Sequence, residues 1–196
     1  MTESWVPAVV GLLTGLFSGL AGRRFEAWLA APRLKVEFVQ NEGGFLTEGS
    51  WKEGDVEIVE IYIRARVRNL GTIVAKKCRP YLVKLEEVQP SGTTSTDLFD
   101  SVVLRWPGHP QDFAPRDIPH GVNQFFDIVG VLKNKPGWRF KFRENFSSHH
   151  RLSKYEGTYR FTVLISGDGF KPVGRKIDVT YSGDSKGLRA VDAGAV

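Results

Sequence analysis

Cysteine and methionine occur once each in 196 residues, at Cys78 and Met1, and histidine only four times. A single thiol makes no internal disulfide, so a packed core must hold the fold, and a reducing compartment on the cytosolic side suits it. No Cys/His set has zinc-site spacing. His149 and His150 are adjacent, so their rings point apart, and no third ligand follows at metal spacing. His109 and His120 flank proline-containing turns with no paired Ser or Cys motif around them. Gly167-Asp168-Gly169 has no following Lys-Ser/Thr and is no phosphate loop. Asp97, Asp100, Asp112 and Asp117 lack the regular ligand spacing of a calcium loop. These absences leave no catalytic constellation, and the chain is expected to be no enzyme, with no cofactor and no metal.

Charge is also missing from one long stretch. Trp5–Gly22 carries no ionisable side chain, and no Lys or Arg precedes Arg23-Arg24. Eighteen helical residues span roughly 27 Å, close to a hydrocarbon core. This predicts an N-terminal transmembrane helix, residues 1–33 with its short linker. Pro7 suits its first turn, and Pro32 ends it. Arg23, Arg24 and Trp28 would lie at the membrane interface. Positive charge follows the apolar core and does not precede it, which argues against a cleaved secretory signal. It places the rest of the chain on the cytoplasmic side of the inner membrane as a single-pass protein. Gly11, Gly15 and Gly19 fall on one helical stripe, a small-xxx-small pattern that points to homo-oligomerisation; the alternative is a lone anchor whose glycines face lipid.

From Leu34 the hydrophobic period changes to two. Leu34–Val39, Glu57–Asn69, Lys77–Val88, Ser101–Trp106, Gln124–Leu132, Trp138–Phe142, Gly157–Ser166 and Arg175–Tyr181 read as strands, separated by Gly, Pro and Asn punctuation. Asn41–Asp55 reads as a loop with a short strand near Phe45-Leu46. Asn69-Leu70-Gly71-Thr72 signals a turn, and the last two strands a hairpin. The prediction is a mainly β chain: an antiparallel β-sandwich over residues 34–181 and a flexible tail over 182–196.

The stretches RVRNLGTIVAKKCRPYL (Arg66–Leu82), LRWPG (Leu104–Gly108) and GTYRFTVLISGD (Gly157–Asp168) resemble the immunoglobulin-like β-sandwiches of uncharacterised prokaryotic membrane-anchored proteins. The resemblance covers most of residues 34–181. It implies that Asn69 and Gly71 shape a turn and that Ala75 and Cys78 pack inside. It implies a fold and no activity. The Cys–Trp–Cys pattern of antibody domains is absent.

Two clusters invite a functional reading. Arg64, Arg66 and Arg68 alternate with apolar residues and stand on one face of a strand, roughly 7 Å apart. Their repulsion calls for compensation, either by an anionic ligand or by acids such as Glu86 or Asp178 on neighbouring strands. Trp138–Arg143 alternates aromatic and basic residues, as a base-stacking ribbon or a half-buried strand does. The half-buried strand is the commoner case, and nucleic acid is not an expected partner. Cys78 stands among Lys76, Lys77 and Arg79, which could lower its pKa, although a packing role makes it inert. The expected function is a membrane-anchored cytoplasmic adaptor that recruits or senses a protein partner, with membrane lipid around its helix. The alternative is an oligomeric membrane effector, assembled through the glycine stripe when an anionic signal such as a nucleotide binds.

Overall fold

The long alternating run around Ile63 forms the central strand of the first of two antiparallel sheets. The computed structural model describes residues 31–92, 94–96, 101–108, 112–133, 138–139 and 156–196. In the first sheet β3 (Val56–Asn69) carries β1 (Leu34–Glu37) and β2 (Leu46–Glu53) along one edge. β1 pairs with its C-terminal end and β2 with its N-terminal half. The other edge of β3 pairs with β8 (Asn123–Leu132), which in turn pairs with the short β9 (Trp138–Arg139).

The second sheet is built on β4 (Ala75–Val88). One edge of β4 pairs with β10 (Gly157–Asp168). β10 continues to β11 (Val173–Tyr181), and β11 to β12 (Arg189–Ala195). The other edge of β4 is covered in turn by β7 (Arg116–Ile118), β6 (Val102–Val103) and β5 (Thr94–Thr96). Ile63, Ala65 and Val67 of the first sheet share one core with Phe161, Val163, Ile165, Ile177 and Val179 of the second. Trp106 is fully buried there, edge-on to Phe126 at 6.0 Å between ring centroids. Ala75 and Cys78 are fully buried as well.

The antiparallel β character and the β10–β11 hairpin follow the period-two pattern. Three local readings change. Residues 46–53 pair as a full strand, closed on β3 by a tight turn in which Gly54 adopts φ +61°. Their polar sequence hides the strand because it is an edge. Ser182 onward is not a frayed tail: a 3-10 turn at Ser185–Gly187 leads into β12, and Leu188 and Ala190 enter the core. In β4, Val83 is an extra residue opposite the Thr162/Val163 step, so the inward face passes from Leu82 to Leu85. This bulge breaks the strict alternation that would place Tyr81, Val83 and Leu85 on one face.

The membrane-spanning expectation is also corrected. Among the described residues no helix is long and apolar enough to cross a membrane; backbone groups there are satisfied by strand pairing. The fold described therefore does not support a single-pass protein of the inner membrane with a cytoplasmic domain. The stretch on which that expectation rested, with Gly11, Gly15, Gly19, Arg23, Arg24 and Trp28, lies outside the described residues.

Candidate functional site

The arginine row on β3 is dismantled by its neighbours. Arg64 stands opposite Asp127 of β8 and donates from Nε to Oδ1 at 2.7 Å. Arg105 donates to the other oxygen of the same carboxylate, at 2.7 Å from Nε and again from Nη2. It also lies 3.6 Å from Asp112. Both guanidinium groups sit over the ring of Tyr62, at 5.6 Å and 5.2 Å. Burial, and then a hydrogen bond to the neighbouring Glu60, push the Tyr62 phenol up to about 12. Asp127, Glu60 and Tyr62 are all buried. This is a largely buried ion cluster, and a ligand phosphate would have to displace an internal carboxylate to reach Arg64.

Arg66 is engaged as well. It donates to Glu37 of β1 at 2.8 Å and to Glu42 at 2.5 Å, and it stacks over Phe45 at 5.2 Å. Arg68 is exposed, opposite Lys35 on one side and Asn123 on the other. The compensating acids are thus Asp127, Glu37 and Glu42. Glu86 and Asp178 belong to the other sheet, where Glu86 pairs with Lys84 at 2.6 Å and Asp178 with Arg160 at 2.7 Å.

Cys78 is a packed thiol. Its Sγ donates to the Ala75 carbonyl at 3.4 Å. Burial, then the charges of Asp117 and Asp168, push it up to about 12, the reverse of the lowering its basic neighbours suggested. A thiol held protonated in this way is no nucleophile at neutral pH.

The turn between β3 and β4 is the feature that the sequence marked only as punctuation. Asn69 is fully buried and organises it. Its amide nitrogen donates to the carbonyls of Ile73 at 2.6 Å and Ile118 at 2.9 Å. Its side-chain oxygen accepts from the backbone of Gly71 at 2.9 Å and Arg33 at 3.3 Å. His120 Nδ1 meets the Gly71 carbonyl at 2.7 Å. Gly71 is required by space: a Cβ there would stand 2.6 Å from the Arg33 nitrogen and 2.8 Å from the Ala31 oxygen. On this pinned backbone Leu70, Ile73 and Val74 are 49%, 42% and 41% exposed. Exposed Arg68 and Lys76 flank them in the chain.

A second feature lies on the outer face of the other sheet. A groove of about 320 Å³ runs along Lys77, Arg79 and Tyr81 of β4 and Ser166, Gly167 and Asp168 of β10. Among the described residues no group of three or more His, Cys, Asp or Glu side chains could hold a metal ion. His109, His149, His150 and residues 140–143 lie outside the described residues, as do Asp97 and Asp100; of Trp138–Arg143 the structure describes only the β9 pairing.

No family profile matches this sequence. No curated protein matches it either. Among solved structures, the X-ray structure of Northeast Structural Genomics Consortium target SoR45 is similar over 83% of this chain and 85% of that one, at 12% identity and a TM-score of 0.30.

Proposed function

We propose that this chain is a non-catalytic binding module that recruits or senses a protein partner through the turn between β3 and β4. The observation that carries this reading is the exposure of Leu70, Ile73 and Val74 together on a backbone held by the buried Asn69. Large apolar side chains exposed within one short turn mark an interaction surface. A loop already fixed in one conformation loses little entropy when it docks. The exposed cations Arg68 and Lys76 suit a partner with an apolar pocket and an acidic rim. Cys78, packed and protonated, adds no chemistry of its own.

The test is site-specific photo-crosslinking in the native cell from position 73, with position 39, an exposed apolar site away from the turn, as control. A discrete protein adduct at position 73 is expected. It should be lost in an Arg68→Glu/Lys76→Glu variant and absent from position 39. Lipid adducts alone, or a protein adduct indifferent to charge reversal, would overturn the reading.

A further inference from the structure

We infer that the groove between the start of β4 and the end of β10 binds the phosphate group of a small phosphorylated ligand. The inference does not depend on the docking turn. It begins with Lys77, which adopts φ +51°, the one positive φ at a non-glycine position among the described residues. The register explains why. Arg79 pairs with Ser166 and Lys76 with Asp168, so Lys77 and Cys78 together oppose Gly167 alone. Such a bulge takes glycine at its left-handed position without strain. Here a lysine holds that position, its backbone nitrogen fixed to Asp117 Oδ1 at 2.8 Å. Strain retained beside a groove is accounted for if the side chain that causes it has a use.

Arg79 supplies the second cation. Arg64, Arg66, Arg105, Arg160 and Arg175 each hold a carboxylate. Arg79 does not: its partner in the register is Ser166, and its Nε is sealed from solvent with no acceptor among the described residues. A guanidinium that lines a groove and holds no carboxylate among the described residues is left to take an oxyanion. Lys77 lines the same groove and reaches Asp168 at 3.0 Å, with both side chains largely exposed. That ion pair is weak enough to yield to a dianion. Ser166 adds a hydroxyl, and Tyr81 and Pro115 form walls. A recess of about 320 Å³ is of a size to seat a small molecule. The recess thus holds Arg79, a lysine whose exposed partner Asp168 can be displaced, and a hydroxyl, a set that suits the several oxygens of a phosphate better than a single carboxylate.

The test is titration of the full chain with inorganic phosphate and pyrophosphate at constant ionic strength, by calorimetry and by backbone amide shifts. Acetate and chloride serve as controls. Saturable binding is expected, with shifts at Lys77, Arg79 and Gly167. Arg79→Gln should weaken it about tenfold, while Arg79→Lys, which keeps the charge, retains part of it. Asp168→Asn should tighten binding by releasing Lys77. Lys77→Gly should fold at least as well as the native chain and bind less. Absence of saturation above the chloride control, equal binding of acetate, native affinity in a folded Arg79→Gln variant, or weaker binding in Asp168→Asn would each overturn the assignment.

Discussion

Arg64 and Asp127 face each other across β3 and β8, joined by a 2.7 Å hydrogen bond at the point where a bulge at Ile63/Arg64 shifts the register. Asp127 is shared with Arg105, whose backbone carbonyl accepts from the Asp127 nitrogen at 2.9 Å. One carboxylate therefore ties the chain around Arg105 to the first sheet. Asp127→Ala would leave two largely buried guanidinium groups without their acid. Loss of one partner of a buried pair costs about 3–5 kcal/mol, and the partial solvent access of both arginines puts the expected loss near the lower bound. Asp127→Asn keeps an acceptor and should lose less. Urea unfolding of both variants gives the comparison; equal losses would mean that a neutral acceptor contributes nothing and that the carboxylate charge alone holds the two arginines.

This pair also marks where sequence reasoning stops. Alternation alone placed Ile63, Ala65 and Val67 inward and Arg64 and Arg66 outward, as the burial shows. The need for compensating acids was equally legible, because three like charges on one face repel. Their identity was not, because it depends on which strands flank β3. Glu86 and Asp178 lie in alternating strands that could have been neighbours; β1 and β8 are the actual ones. Asp127 itself left a signal, a lone acid inside the apolar run FFDIVGVL. The groove left none: its bulge has Lys77 where glycine is usual, and no local rule announces that.

Asn69 offers a sharper substitution series. Alanine removes its side-chain hydrogen bonds inside a buried turn, for an expected loss of about 2–3 kcal/mol. Aspartate keeps the acceptor for Gly71 but replaces the donor to the Ile73 and Ile118 carbonyls with a charge. Asn69→Asp should therefore be worse than Asn69→Ala at pH 7 and should recover on acidification, when a protonated carboxyl donates again. Hydrogen exchange at Gly71 should accelerate in both. If alanine and aspartate are indistinguishable at pH 7, the donated bonds do not hold the turn.

Glu37 sets part of the acid response. The Lys35 ammonium at 2.7 Å, and then Arg66, hold its carboxyl below the ordinary value of 4.5. A depressed folded pKa contributes stability that is full above the unfolded value and lost as pH falls through the folded one. The native chain should thus be more stable than Glu37→Gln by about 1 kcal/mol at pH 7, with the gap closing below about pH 4.5. Asp192, held low by Arg175, contributes to the same limb and stays in both proteins. Denaturant midpoints from pH 7 to 3 give the comparison. A gap that is constant across that range would remove the electrostatic account of the Glu37 contacts with Lys35 and Arg66.

Glu60 and Gly130 share one space. Glu60 is fully buried on β3, and in the register its neighbour Tyr62 stands opposite Gly130 of β8. A Cβ on Gly130 would collide with Glu60 Oε1 and lie 2.7 Å from Cδ and 3.0 Å from Cγ. The glycine is needed here for room, since Gly130 is not among the positive-φ residues. Gly130→Ala forces the carboxyl away from Tyr62, and overpacking of this kind costs about 1–3 kcal/mol. In a Glu60→Ala background the obstacle is gone, so the same substitution should cost little. The two changes should be coupled by at least about 1 kcal/mol in a double-mutant cycle read by urea unfolding. Additive losses would show that the two residues do not compete for that space. The Tyr62 phenol gives a second readout: without the neighbouring carboxylate it should titrate below the value of about 12 that it holds in the native chain.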